Sequence, residues 1–318
     1  MPIIRLINAN RTAIREMSAS DLKKSIMASE GRVIMTQFFV WGNVMGGVNN
    51  AELQQAFGSD MVMMNGYSTD PKVKPLGLRN PKGGTYKIRD LKKIVDIPLG
   101  VYLECGDPEF LKQQETTSYG VNMLSPDRIA SRENLIKIKE AGADFVVLAG
   151  NPGSGVTHEN IIKNVKIAKE VLGDDILIFA GKWEDGVYVK VLGDPILGVD
   201  ESKRIIKELL DAGADCITMP MPGSRTGVTV NDMRELVTFI HTYKPGSLAL
   251  SFLDASIEGA DEETIRKCAV LSKQTGADIH CLGDADLQGS TRPENVYSFS
   301  IAAKGRLKTW FRMAGSKH

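Results

Sequence analysis

The sequence repeats one short segment, and this repeat constrains the fold more than any other feature of the chain. The segment is Gly-Ala-Asp followed by an apolar run. Its aspartates are Asp144, Asp215 and Asp278, and a looser Gly-Ser-Asp copy contains Asp60. The glycine suits the left-handed backbone that closes a helix, and the apolar run suits a short buried strand. Successive copies lie about 60 to 85 residues apart, roughly the length of two βα units. The repeat therefore predicts a parallel α/β fold.

Eight apolar runs are predicted as strands, and amphipathic helices alternate with them from Arg32 onward. In one helix, Ile161, Val165, Ala168 and Leu172 recur at a spacing that places them on one face. The runs are apolar almost throughout, as expected for strands that helices cover on both faces. The predicted strands are residues 33–39, 61–67, 99–105, 145–150, 176–182, 216–221, 248–255 and 279–285, and the predicted helices include 20–29, 126–141 and one that begins near Arg292.

Eight βα units predict an α/β protein that is a single closed (β/α)8 barrel, the TIM barrel, as one domain over residues 1–318. Residues 1–30 would form a helical extension that covers the amino-terminal mouth, and the barrel would occupy about 32–313. The four aspartate copies then fall on alternate strands, which is how such a barrel layers its side chains. An open doubly wound sheet is the alternative, but no reversal point or linker favours it.

Composition excludes several classes of function. Lys and Arg total 39, as do Asp and Glu, so no overall charge would attract nucleic acid or an anionic membrane. No apolar run has the length of a membrane span, and the N-terminus has no signal-peptide pattern. The four cysteines show no metal or disulfide spacing. We expect a cytoplasmic protein with reduced thiols. We also expect a homo-oligomer, because barrels often form symmetric oligomers.

Active sites of such barrels lie at the carboxyl ends of the strands. The loops after the fourth and sixth strands are related, since both contain Pro-Gly-Ser, then Gly-Val-Thr, then a helix. Glycines beside a helix N-terminus suit a bound phosphate or carboxylate. Tight turns with threonine caps explain the same residues without a ligand. The predicted substrate-binding residues are Asn65, Asn151, Gly153, Ser154, Gly155, Gly223, Ser224 and Arg225.

Charged residues at the strand ends are the candidates for catalysis. Lys182 could hold an anion or form a Schiff base, or could simply pair with Glu184 and Asp185. Carboxylates near the ends of the third, seventh and eighth strands could hold Mg²⁺, and one could act as a general base. Helix capping and solvation are the alternative. The predicted catalytic residues are Lys182, Glu104 and Asp284, and the predicted metal ligands are Asp254, Asp284 and Asp286.

Two histidines and two long loops complete the candidate features. His158, in the first turn of a helix, is predicted to be solvated, whereas His280 could be a core or a catalytic residue. The segments 66–88 and 105–125 are long for βα loops, and such loops often form lids over a site.

The chain broadly resembles the bacterial (β/α)8 enzymes that bind phosphorylated metabolites, over nearly its whole length. Glu104, Asp254 and Asp284 also give it a distant resemblance to the phosphoenolpyruvate phosphonomutase/isocitrate lyase barrels. That resemblance implies Mg²⁺ held by strand-end carboxylates and a small oxyacid ligand, although the family's Lys-Lys-Cys-Gly-His type loop is not found here. Asp284-Ala-Asp286 resembles the Asp-x-Asp motif of haloacid-dehalogenase-like hydrolases, but it follows the last strand rather than the first.

Together these features predict an enzyme that acts on a small phosphorylated or carboxylated metabolite, as a metal-assisted lyase or isomerase. A phosphoryl hydrolase and a non-catalytic metabolite-binding regulatory barrel are the alternatives. The expected partner is a small anionic metabolite, with no nucleic acid and no membrane.

Overall fold

The computed structural model describes residues 3–106, 124–184 and 189–315. It shows a closed barrel of eight parallel strands in chain order, in which each strand pairs with the next and the last returns to the first. The predicted TIM barrel is therefore confirmed. The strands are β1 Val33–Phe39, β2 Met61–Asn65, β3 Leu99–Glu104, β4 Phe145–Ala149, β5 Leu177–Ala180, β6 Cys216–Pro220, β7 Leu248–Leu253 and β8 Ile279–Leu282.

Helices alternate with the strands, and two precede them. The predicted helix 126–141 begins later, at α5, because the Ser131 side chain accepts the Asn134 N–H at 3.2 Å and caps the helix there. The last helix bends at Gly305, where the backbone is not helical. The helices are α1 Arg11–Glu16, α2 Ala19–Ala28, α3 Asn50–Ala56, α4 Ile88–Ile94, α5 Arg132–Ala141, α6 His158–Leu172, α7 Val199–Ala212, α8 Val230–Tyr243, α9 Glu262–Gln274 and α10 Pro293–Ala314.

Most predicted strands extend beyond the observed carboxyl ends by one to three residues. The fifth is an example, since β5 ends at Ala180 and not at Lys182. At Gly181 the chain passes so close to β6 that a Cβ atom there would lie 2.1 Å from the Thr218 carbonyl oxygen. Side chains that follow the last hydrogen-bonded residue of a strand are still buried at the carboxyl ends of the strands. The apolar pattern therefore continues past the last strand residue.

Aromatic side chains fill much of the barrel interior. The rings of Phe145 and Phe179 stack at 5.0 Å between centroids, and those of Trp183 and Phe252 stack at 4.5 Å. Tyr102 meets the edge of Trp183 at 5.9 Å. This packing closes the interior, so any ligand site must lie at a mouth rather than inside the barrel.

The repeated aspartates bind neighbouring strands together at the amino-terminal mouth. In each copy the carboxylate accepts the backbone N–H of a residue near the start of the preceding strand, and the aspartate N–H donates to the carbonyl of that same residue. The repeat thus joins β1 to β2, β3 to β4, β5 to β6 and β7 to β8. The carboxylate contacts are Asp60 with Ile34 at 3.0 Å, Asp144 with Leu99 at 2.9 Å, Asp215 with Ile178 at 3.0 Å and Asp278 with Ala249 at 2.8 Å.

A cationic or imidazole side chain also meets each of these four aspartates. Asp60 is fully buried and contacts Lys304 at 2.6 Å and Arg312 at 3.0 Å, which ties α10 to the start of β2. Lys23 of α2 pairs with Asp215 at 2.8 Å, and Leu22 and Ile26 of that helix pack on the barrel interior. The N-terminal helices therefore lie across this mouth. The other pairs are Lys92 with Asp144 at 2.7 Å and His241 with Asp278 at 2.9 Å.

Candidate functional site

Polar side chains form a ring around the carboxyl-terminal mouth, and every strand contributes to it. Each member lies near the end of its strand or within five residues after it, where the parallel strands deliver their side chains to one place. We call this set the mouth ring. Its members are Gln37, Asn65, Glu104, Asn151, Lys182, Arg225, Asp254 and Asp284.

One half of the mouth ring is a continuous chain of hydrogen bonds. The Asn65 amide donates to Asp284 at 2.9 Å, and the Asn65 and Asn151 amides lie 3.3 Å apart. Asn151 in turn donates to both Glu104 oxygens, with its backbone N–H at 3.0 Å and with its side-chain amide. Gln37 also hydrogen-bonds to Asp284. Four residues predicted from the sequence are thus brought together.

Glu104 and Lys182 place opposite charges in a buried environment. Burial raises the pKa of Glu104 to about 7, and the Asn151 hydrogen bonds and the Lys182 charge act against that rise. The Lys182 side chain is 1% exposed. A carboxyl group whose pKa lies near neutrality can both accept and release a proton.

Glu184 adjoins the mouth ring and is held by Tyr102. The Tyr102 hydroxyl donates to Glu184 at 3.2 Å. Burial raises the pKa of Glu184 well above its usual range, and the charges of Asp254, Glu104 and Asp284 raise it further. Sequence reasoning missed Tyr102, although strand alternation placed it on the same face as Glu104, two residues earlier.

The β7 side of the mouth carries two more buried carboxylates. Arg225 pairs with Asp254, yet burial still raises the pKa of Asp254 to about 6. Ala255 and Ser256 both adopt positive φ, a conformation that is unfavourable for residues with a Cβ. This turn brings in Glu258, which accepts the Ala285 N–H at 2.9 Å and has a pKa raised by burial to about 7. No sequence pattern distinguishes Glu258 from a solvated loop glutamate.

Some buried polar atoms at this mouth have no hydrogen-bond partner among the residues that the structure describes. They are Gln37 Oε1, Trp183 Nε1, Arg225 Nε, Asp254 Oδ1 and Glu258 Oε2. Each such atom costs roughly 1–3 kcal/mol unless something binds it. Their concentration at one mouth indicates a place for a ligand or bound water.

The two glycine loops fold as capped turns. Thr157 and Thr229 cap α6 and α8 through their side-chain oxygens, and the Ser224 hydroxyl donates to the Met221 carbonyl at 2.8 Å. Asn151 in the first loop contacts β3, whereas Arg225 in the second contacts the end of β7. Gly153, Gly155 and Gly223 have positive φ, as their turns require. Anion binding by these loops stays a prediction.

Asp286 contacts Arg292, whereas Asp284 belongs to the mouth ring. Its two oxygens meet the Arg292 guanidinium, each at 2.9 Å, and it also accepts the Arg292 backbone N–H at 3.1 Å, just before α10. Across residues 3–106, 124–184 and 189–315, no three His, Cys, Asp or Glu side chains are placed to share one metal ion. Asp185 and most of the predicted lid 105–125 lie outside the described residues.

The two histidines are both structural in their contacts. His280 is buried between the Ser272 hydroxyl at 2.7 Å and the Gly31 carbonyl at 2.9 Å, and burial lowers its pKa to about 4. The prediction that His158 is solvated is wrong: it is 5% exposed, with Nε2 2.9 Å from the Lys190 carbonyl. The segment after β5 therefore contacts the first turn of α6 at Lys190.

Comparison with solved structures gives neighbours of the same fold. An archaeal fructose 1,6-bisphosphate aldolase is 13% identical, with a TM-score of 0.54 over 91% of this chain and all (100%) of its own. A Schiff base forming fructose-1,6-bisphosphate aldolase is 15% identical, with a TM-score of 0.53 over 90% of this chain and 98% of its own. 2,3-Dimethylmalate lyase, a PEP mutase/isocitrate lyase superfamily member, is 12% identical, with a TM-score of 0.46 over 84% of this chain and 81% of its own. The two aldolases support the barrel fold and nothing finer.

Sequence comparison adds a family but no relative of known activity. No curated protein matches the chain. None of the helices among the described residues is long and apolar enough to cross a membrane. A family model described as "Domain of unknown function (DUF7916)" matches residues 7–318, which includes the N-terminal helices as well as the barrel. The chain therefore belongs to the DUF7916 family.

Proposed function

We propose that this barrel is an enzyme that transfers protons to and from a small metabolite bearing a carboxylate or phosphate group, as a lyase or isomerase. One observation carries the proposal: the buried carboxyl of Glu104, with a pKa of about 7, feels the charge of the buried Lys182 side chain at the carboxyl-terminal mouth. Perturbed titratable groups concentrate at functional sites, and this mouth is where barrel enzymes place them.

The mouth ring offers a group for each step of a lyase reaction. Glu104, fixed by Asn151, takes a proton from a substrate hydroxyl or C–H group. The electron pair released when the substrate bond breaks develops as negative charge on a substrate oxygen, which the Lys182 ammonium stabilises. Glu184, which Tyr102 orients and whose pKa burial raises well above its usual range, returns a proton to the substrate carbon.

A Schiff base is an alternative to this chemistry, whereas the predicted metal is not. Lys182 could act as a nucleophile and form a Schiff base, the chemistry named for one of the aldolases that share the fold. The predicted Mg²⁺ ligands do not fit a common site, because Asp254 faces Arg225 and Asp286 is held by Arg292. The proposed chemistry therefore uses no metal at these residues.

The other two hypotheses make different demands on the same residues. A haloacid-dehalogenase-like hydrolase needs both aspartates of Asp284-Ala-Asp286 at one site, whereas Asp286 is bound to Arg292 outside the mouth ring. A regulatory barrel would bind the metabolite at the mouth without changing it. Turnover separates this last hypothesis from the proposed enzyme.

The first test combines binding with proton exchange. Thermal melting against a panel of small oxyacids and phosphorylated sugars, with Mg²⁺ and with EDTA, should find ligands that raise the melting temperature by a few degrees. Each hit is then incubated with the protein in D₂O, and NMR should show deuterium in the metabolite or a new product. Lys182→Met should abolish this exchange, whereas Lys267→Met, at an exposed position of α9, should not.

Three outcomes would change the account. Ligands that bind without exchange or turnover would favour the regulatory barrel. Binding that needs Mg²⁺ would restore the predicted metal. Borohydride that reduces a covalent adduct onto Lys182 in the presence of substrate would establish the Schiff base, and an unmodified Lys182 would exclude it.

A further inference from the structure

The inference concerns one side of the carboxyl-terminal mouth, where Gln37, Asp254, Glu258 and Asp284 meet. We call these four residues the acidic side. Glu258 accepts the backbone N–H of Ala285, next to Asp284. The charges of Asp254 and Asp284 both raise the pKa of Glu258, and Gln37 hydrogen-bonds to Asp284. The four side chains therefore belong to one cluster contributed by β1, β7 and β8.

The unpartnered atoms of the acidic side are all hydrogen-bond acceptors. They are Gln37 Oε1, Asp254 Oδ1 and Glu258 Oε2, on side chains that are 3%, 5% and 0% exposed. The unpartnered atom of Gln37 is its amide oxygen, because the amide nitrogen is the atom that donates to Asp284. An amide oxygen cannot be satisfied by taking up a proton, so this atom needs a donor from elsewhere.

The balance of charge indicates what kind of donor fits. The acidic side holds three buried or half-buried carboxyl groups, and the cation paired with them there is Arg225, which contacts Asp254. Lys182 acts on Glu104, on the opposite side. Hydroxyl groups or water would satisfy the lone pairs but would leave the excess of negative charge. A ligand cation would satisfy both.

We propose that the ligand of this site carries a primary ammonium group, held by Gln37, Asp254 and Glu258, in addition to its carboxylate or phosphate. An ammonium has three N–H donors and no acceptor, which matches the three unpartnered acceptors in number and in kind. The ligand is then an amino acid or an amino sugar phosphate, with its cationic end at the acidic side and its anionic end towards Lys182. This inference rests on the proposed function for the place of the site and narrows its substrate class.

The test uses pairs of ligands that differ only in an ammonium or a hydroxyl group. Suitable pairs are aspartate with malate, serine with glycerate, and glucosamine 6-phosphate with glucose 6-phosphate. Isothermal titration should show that the ammonium member of at least one pair binds about tenfold or more tightly than its partner, since hydrogen bonds to charged groups have this strength. Glu258→Gln should remove most of that preference while it leaves the affinity for the hydroxyl member within a few-fold. Glu263→Gln, at an exposed position of α9, should leave the preference intact.

The outcomes separate this inference from the proposed function. Hydroxyl members that bind as tightly as their ammonium partners, or a preference that survives Glu258→Gln, would overturn the ammonium site. If such hydroxyl ligands exchange deuterium, the enzyme proposal stands alone. An ammonium preference without exchange or turnover of any ligand would support the ammonium site and contradict the enzyme. Failure of every pair to bind would overturn the ammonium site, and deuterium exchange with the wider panel of oxyacids and phosphorylated sugars would then decide the enzyme proposal.

Discussion

The two mouths of the barrel use carboxylates in opposite ways. At the amino-terminal mouth, each aspartate of the repeat accepts a backbone N–H and meets a cationic or imidazole side chain, as Asp144 does with Leu99 and Lys92. At the carboxyl-terminal mouth, Asp254, Glu258 and Asp284 crowd together, and burial raises the pKa of each. The first arrangement stabilises the fold. The second reduces stability, and a fold retains such an arrangement where function requires it.

The size of this difference can be estimated for the most buried members. One pKa unit corresponds to about 1.4 kcal/mol. The pKa of Glu258 rises from 4.5 to about 7, so its ionised form destabilises the fold by roughly 2–3 kcal/mol at neutral pH. Asp60 is equally buried, yet two cations surround it. Burial alone therefore does not decide the role of a carboxylate; its partners do.

Glu104→Gln should have the largest effect, and it should act on activity. Removal of a general base typically lowers turnover by 10²- to 10⁴-fold. In the wild type, kcat/KM should fall as the pH drops below about 7, because protonated Glu104 cannot accept a proton. The variant should lack that limb of the pH profile. Wild-type rates with an unchanged pH profile in the variant would remove Glu104 from the mechanism.

Asp60→Asn should give the largest loss of stability, about 3–5 kcal/mol, because it leaves Lys304 and Arg312 buried without a counter-charge. Urea unfolding measures the loss. Adding Lys304→Met should recover part of it, which keeps the prediction testable if the single variant does not fold. A loss below about 1 kcal/mol would show that this end of the barrel does not depend on the pair.

Asp144→Asn should cost less, about 1 kcal/mol. The asparagine oxygen can still accept the Leu99 N–H, and the Lys92 pair that is lost is partly exposed. The same unfolding experiment measures it, and turnover should stay at the wild-type value. A fall in turnover without a fall in stability would mean that the two mouths are coupled.

Asp286→Asn should have the smallest effect, below about 1 kcal/mol, because the Arg292 side chain that it binds is 41% exposed. Turnover should not change, since Asp286 faces α10 and not the mouth ring. Both a metal site and an Asp-x-Asp nucleophile motif would require Asp286. Loss of turnover in this variant would therefore revive those hypotheses.

The architecture could be predicted from the sequence because the βα unit repeats along the chain. The aspartate repeat, the apolar runs and the alternating helices gave the closed barrel, and the structure adds that the repeat ties strand pairs at the amino-terminal mouth. Strand ends were less predictable, because buried residues continue past the hydrogen-bonded ladder at β5 and beyond. The division into an extension over 1–30 and a barrel over 32–313 stays a prediction.

The candidate site was only partly readable. The rule that barrel sites lie at the carboxyl ends of strands was enough to find Asn65, Asn151 and Glu104, which the structure joins by hydrogen bonds. It could not separate Asp284 from Asp286, because the two aspartates lie only two residues apart in one loop. Only the folded structure shows that Asp286 is the one that contacts Arg292. Glu258 was missed because its burial depends on a turn with two positive φ angles, for which the sequence shows no glycine signal.

The contrast between the mouths is tested most directly by the unfolding free energy of Glu258→Gln at pH 8 and at pH 4. The folded pKa of Glu258 lies above its unfolded value, so the wild type should lose stability as the pH rises from about 4.5 to 7 and stay at the lower value above that. The glutamine keeps the acceptor for Ala285 and has no charge. It should match the wild type at pH 4 and exceed it by about 1–3 kcal/mol at pH 8. A variant that is less stable than the wild type at pH 8 would contradict the account, because Glu258 would then stabilise the fold as Asp60 does.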